Sequence, residues 1–153
     1  IMEYAQNTFI SSTFWTERIG PTAGLKTLEE MKKLESWKTI TQIGQSVSKG
    51  WKELANEHGL NLSVNGIKPI PSFIIKSEKM IYYKTYITQE MLKKGFLASH
   101  LFFSSICHTE KIISQYCEAL NGIFMDIKEC EEGRDIVKML EGPVCHSGFK
   151  RLN

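Results

Sequence analysis

The hydrophobic period of this chain changes sharply at Gly59. Before it, Trp37, Ile40, Ile43, Val47, Trp51 and Leu54 follow one another in steps of three and four, which places them on one face of a helix. His58-Gly59 then supplies the residue that adopts a left-handed conformation at a helix end. Immediately afterwards Leu60-Asn61-Leu62-Ser63-Val64 alternates, and Pro69-Ile70-Pro71-Ser72-Phe73-Ile74-Ile75 is short, apolar and β-branched. A period of two cannot be laid on a helix, so both segments read as strands, joined around Asn65-Gly66 as an antiparallel pair.

The other elements follow from the same signals. Leu25, Leu28, Met31 and Leu34 repeat at helical spacing after Thr16 or Glu17, with Pro21 in the first turns. A further helix is expected from Met80 to Lys94, stopped by Gly95, and Phe96-Leu97-Ala98 is expected to be a short strand. Thr109 is a suitable N-cap for a helix whose buried stripe would be Ile112, Ile113, Tyr116, Leu120, Phe124 and Ile127. A last short helix is expected around Asp135 to Leu140, followed by a polar, loosely held tail. The order predicts an α+β fold, a small antiparallel sheet of about three strands covered on one face by helices.

Composition narrows the function more than the fold. Lys plus Arg number 19 against 17 Asp plus Glu, and a net charge of +2 gives no field suited to nucleic acid or anionic lipid. Charged or polar residues interrupt every apolar run, so no membrane span is expected. The four cysteines, Cys107, Cys117, Cys130 and Cys145, are irregularly spaced and read as reduced thiols of a cytoplasmic protein. The chain opens on Ile1 without the features of a signal peptide, and is read as beginning inside a longer protein.

Few residues offer chemistry on their own. The pairs Cys107-His108 and Cys145-His146 have the wrong spacing for zinc, and no metal site is expected. His58 sits at a helix end and reads as structural, whereas His100 lies in a loop beside a strand end. Tyr82-Tyr83 and Phe102-Phe103 read as packing groups, as do Trp37 and Trp51. The segment Ser11-Ser12-Thr13 gathers hydroxyls just ahead of a helix. Such a segment serves either as a simple cap or as a grip on a phosphate.

The stretch Asn7-Thr8-Phe9-Ile10-Ser11-Ser12-Thr13-Phe14-Trp15-Thr16-Glu17-Arg18-Ile19-Gly20-Pro21 resembles class III aminotransferases, especially the branch containing glutamate-1-semialdehyde 2,1-aminomutase. The resemblance continues through Leu54-Ala55-Asn56-Glu57-His58-Gly59-Leu60 and Gln89 to Ser99, and through His108-Thr109 and its helix. It implies a fold-type I enzyme dependent on pyridoxal 5'-phosphate (PLP), of which this chain is the C-terminal part. Residues 1–35 would lead from a large PLP domain, 36–141 would form the C-terminal small domain, and 142–153 the tail.

The same resemblance implies a homodimer in which Thr13 donates its hydroxyl and backbone amide to the phosphate of the neighbouring subunit's PLP, with Ser12 as a further donor. The cofactor lysine and the aspartate on the pyridine nitrogen would lie in the large domain, so this chain carries no catalytic residue of its own. The implied reaction passes an amino group from a small-molecule donor to an aldehyde or ketone through a Schiff base. Relatives of the aminomutase branch carry a glutamate near the position of Phe102-Phe103-Ser104, which this chain lacks. The alternative is a non-catalytic module that keeps the fold for dimerisation or partner binding.

Overall fold

The structure, a computed structural model, describes Glu3 and residues 17–146. It divides into two units, Ile1–Ser36 and Trp37–Asn153. In the first, helix α1 (Ile19–Leu34) holds Pro21 in its opening turn, where the missing N–H removes no helical bond, and ends at Glu35 in the left-handed region (φ 45°). Lys26 pairs with Glu29 and Glu30 at 3.2 and 3.1 Å on its exposed surface. The helix buries none of its side chains, and Leu25, Leu28 and Leu34 are exposed.

The second unit is built around α2 (Ser36–Glu57), α3 (Met80–Lys93) and α4 (Glu110–Glu131). Val47, Trp51 and Ala55, spaced by four, form the buried row of α2. Trp37 is 44% exposed, contrary to its reading as core. It lies about 15 Å along the helix axis from Val47, and the first buried apolar side chain of α2 is Ile43. Gly59 takes φ +66° and lets Leu60 N–H reach back to Ala55 O at 2.8 Å, closing the helix as expected.

Strands β1 (Leu62–Ile67) and β2 (Ile70–Ile75) pair antiparallel from Leu62↔Ile75 to Ile67↔Ile70. The reversal therefore falls at Lys68-Pro69 and not at Asn65-Gly66. A two-residue loop at Asn65-Gly66 would set Phe73 opposite His58, which belongs to the end of α2, and would strand the apolar end of β2. Gly66 instead stays in β1 at φ +91°, where a Cβ would lie 2.6 Å from Ile70 O. Pro71, Phe73 and Ile75 are buried on the helix-covered face, while Ile74 is exposed on the other.

The third strand is displaced and incomplete. Phe96–Ala98 are not a strand, because Gly95 (φ +85°) turns Phe96 N–H onto Met91 O and uses this stretch to finish α3. Residues 100–104 lie instead along the free edge of β2, through Phe73 N–H to His100 O (2.9 Å), Phe102 N–H to Pro71 O and Ser104 N–H to Pro69 O (both 3.0 Å). Only one bridge, Ser72↔Leu101, is regular. The positions facing this edge are 71 and 73 of β2 and 69 just before it, and two of the three are prolines with no N–H, so the ladder runs mostly one way.

Side chains of all three helices meet on the sheet. Trp51 packs on Phe73 (centroids 4.7 Å apart) and Phe73 on Phe124 (5.8 Å). Trp51 Nε1–H donates to Tyr116 Oη at 3.0 Å. From α3, Tyr83 donates to Glu131 and Tyr86 to Asp126 (2.8 Å), tying α3 to α4. Thr109 caps α4 as expected by accepting from Ile112 N–H at 3.4 Å. The last helix is a short 3-10 turn, Ile136–Met139, which Asp135 opens by accepting from Val137 N–H.

Two predictions follow from this packing. A Cβ on Gly44 would lie 1.9 Å from Lys68 O, so Gly44→Ala must push the hairpin turn off α2. We expect a loss of about 2 kcal/mol or more in urea unfolding; an unchanged midpoint would show that the turn yields freely. Burial, the largest cause, pushes the phenols of Tyr83, Tyr86 and Tyr116 above their usual value. They stay protonated in the folded chain while the unfolded chain ionises, so their stability contribution is complete below about pH 10 and falls as pH rises beyond it. The urea midpoint should drop more steeply from pH 8 to 11 in the native sequence than in Tyr83→Phe/Tyr86→Phe.

Candidate functional site

The segment between α3 and α4 forms one candidate surface. Phe102 is anchored from below by Tyr116 (5.7 Å) and from the side by His108 (4.9 Å). His108 Nδ1 accepts from Ser105 N–H at 3.1 Å, which fixes the ring and places its proton on Nε2. With Phe102 held inward, Phe103 and Leu97 project into solvent, 65% and 97% exposed. They border a shallow cavity of about 300 Å³ together with Leu101 and Ile112. No acidic residue occurs between Ser99 and Thr109, so this surface is apolar and carries no carboxylate. Beside it, the hydroxyl oxygen of Ser104 is buried without a hydrogen-bond partner.

A second, larger cavity of about 450 Å³ lies between the end of β2, α3 and the chain after Gly142. Residues 141–146 are tied down here, contrary to the expectation of a loose tail. Glu141 N–H donates to Gln89 Oε1 (2.8 Å), Cys145 N–H to Thr85 Oγ1 (3.0 Å), and the Cys145 thiol to Ile81 O (3.8 Å). Those contacts set His146 at the cavity, facing His100 and Lys84 in the same lining. Burial first, and the charge of Lys84 second, lower the pKa of His100, so its imidazole is neutral at neutral pH. Lys84 is not singled out by the sequence, and His146 enters there only as part of the rejected Cys145-His146 zinc pair. The available signal was a lysine within the row Met80, Lys84, Ile87, Met91, otherwise apolar at helical spacing.

The remaining sequence candidates fall elsewhere. Ser12 and Thr13 lie outside the described residues. His58 donates from Nε2 to Asn121 Oδ1 at 2.6 Å, joining the end of α2 to α4 in a structural role. Tyr83 is a core residue, and Cys130 is buried with its thiol 3.5 Å from Met139 Sδ. Among the described residues no three His, Cys, Asp or Glu side chains converge as metal ligands, and no helix is long and apolar enough to cross a membrane.

No family model matches the chain. In sequence it is similar to the glutamate-1-semialdehyde 2,1-aminomutase of Pyrobaculum islandicum, at 23% identity over 134 residues, which are 77% of this chain and 31% of that protein. The match falls on that protein's C-terminal part. In structure it is similar to the FumI protein of Sphingopyxis sp. MTA144, solved in its PLP internal aldimine form, with a TM-score of 0.73 and 19% identity over 90% of this chain and 34% of that one. The chain spans about a third of the length of these relatives. The α+β fold is thus one found in a fold-type I PLP protein, and the resemblance to the C-terminal part of an aminomutase holds in sequence.

Ser104→Ala tests whether the orphan hydroxyl has a role in the fold. Removing a buried oxygen that has no partner should leave stability unchanged or raise it by up to about 1 kcal/mol. A loss of more than that in chemical denaturation would mean that the hydroxyl is satisfied in solution.

Proposed function

We propose that this chain is the C-terminal small domain, with its entering segment, of a PLP-dependent enzyme that transfers an amino group to an aldehyde or ketone. The observation that carries the reading is the agreement of two comparisons, one of sequence with the C-terminal part of an aminomutase and one of fold with about a third of a PLP protein. PLP, when bound, serves as the electron sink for the bond changes at the amino-bearing carbon. The lysine that holds it would come from the large domain, as in the family this chain resembles.

Within this chain, Thr13 and Ser12 would hold the cofactor phosphate of the neighbouring subunit. Hydroxyl and amide donors suit a phosphate, and the start of α1 adds to them: Arg18 stands at its N-cap, no side chain caps the first turn, and no acidic residue lies in it. The apolar surface around Phe103 would line the approach to the reacting centre. An aromatic ring cannot repeat the hydrogen bonds of a carboxylate, so a transaminase with a largely apolar acceptor is favoured over a semialdehyde aminomutase.

The test is the absorption spectrum of the longer protein that carries this chain, with PLP and a panel of amino donors. A bound-cofactor band that converts to the pyridoxamine form is expected. A spectrum of free cofactor alone would favour the non-catalytic module, in which the exposed apolar row of α1 would serve as interface. In the active protein, Thr13→Ala should weaken PLP binding roughly tenfold to a hundredfold, the worth of a hydrogen bond to a charged group. Thr13→Ser should restore most of it, and equal losses in the two variants would remove the hydroxyl from the site.

A further inference from the structure

The cavity beside α3 has the composition of a ligand site, with mostly apolar walls, a few polar groups and a volume within the range of small-molecule pockets. Its polar groups are not scattered. Thr88 Oγ1 donates to Ser99 Oγ at 2.9 Å, which sets residues 99–100 beside the middle of α3, one turn from Lys84. Lys84 and His100 both belong to the cavity lining, and the charge of Lys84 adds to burial in lowering the His100 pKa. Cys145, held at Ile81 and Thr85, brings His146 to the same turns of the helix.

The acidic group of the lining, Glu78, precedes α3, six residues before Lys84 in the chain. The other hydroxyls of the lining are already engaged, Ser77 and Tyr83 both donating to Glu131. Lys79 donates to Cys130 O and Lys93 pairs with Glu90 and Glu141, whereas Lys84 has no ion pair among the described residues. The lining of the cavity therefore offers an ammonium and two imidazoles together with walls of Phe73, Ile81 and Ile87.

We propose that this cavity binds an amphiphilic monocarboxylate, its carboxylate held at Lys84, His100 and His146 and its hydrocarbon chain laid along Phe73, Ile81 and Ile87. Neutral His100 donates one N–H, and Lys84 adds a charge-assisted bond. The apolar walls favour a chain of several methylenes over a short acid such as acetate. The site needs no bound cofactor and stands whether or not the transaminase reading does.

The test uses the full 153-residue chain, with amide chemical shifts and calorimetry as readouts and octanoate, hexanoate, octanol and octylamine as probes. Octanoate should bind about tenfold more tightly than octanol, gain about fourfold per methylene over hexanoate, and shift the amides of residues 81–87, 100 and 146. Lys84→Gln should erase the advantage of octanoate over octanol while leaving octanol binding unchanged. Equal binding of octanol and octanoate by the native chain, tighter binding of octylamine, or no shifts at these residues would each overturn the proposal. The head-group series on the unaltered chain decides the matter even if the variant unfolds.

Discussion

Trp51 is the side chain on which the second unit depends. It is wholly buried, and a buried indole N–H must find an acceptor or cost about 1–3 kcal/mol. The acceptor is the Tyr116 hydroxyl, so one residue of α2 is bonded to α4 while its ring lies on Phe73 of β2. Tyr116 in turn is flanked by Phe96 and Phe102. The position of the α3–α4 connection, and of the apolar surface it displays, is therefore set from the core outwards.

Pro71 of β2 and Pro69 just before it give the sheet its asymmetry. Toward β1 the strand pairs over its whole length; toward residues 100–104 it offers the carbonyls of Pro69 and Pro71 but only the N–H of Phe73. The third segment consequently follows β2 without becoming a full strand. His100 and Ser104 sit at its two ends, one lining the large cavity and the other carrying a buried hydroxyl. Its side chains still alternate as on a strand, with Phe102 turned inward and Phe103 displayed, although only one bridge is regular.

Much of this was legible in the sequence because it depends on periodicity. The buried row of α2 from Ile43, the stripe of α4 from Tyr116 to Ile127 and the Thr109 cap are local patterns, and the structure reproduces them, whereas Ile112, expected in the same stripe, is 40% exposed near the start of the helix. What was misread depends on partners distant in sequence. Asn65-Gly66 is a strong turn signal, yet pairing Phe73–Ile75 with β1 outweighs it and moves the turn to Lys68-Pro69. Phe96–Ala98 has strand composition, but Gly95 commits Phe96 to the end of α3. Trp37 continues the α2 pattern beyond the part of the helix that meets the core. As for the site, Ser12 and Thr13 were marked by a resemblance and not by geometry, and they fall outside the described residues. His100 was noticed, but its neighbours Lys84 and His146 come together only when residues 141–146 fold back along α3.

The charges around α3 divide by what each one satisfies. On the side facing α4, Tyr83 and Tyr86 donate to carboxylates, and the Tyr83 bond is the main cause holding Glu131 below its usual pKa. Arg134 completes that side by pairing with Asp126 at 3.0 Å and Glu129 at 2.6 Å. These contacts join α3 to α4, and each donor and acceptor is used. Lys84 belongs to none of them and occupies a position in the apolar row of its own helix. A lysine there must reach for water along its aliphatic stem, and it loses rotamer freedom without gaining a partner. A leucine at that position would join Ile81 and Ile87 in a continuous apolar wall. Packing within the row does not call for an ammonium at position 84, and an anion in the cavity would give it a partner.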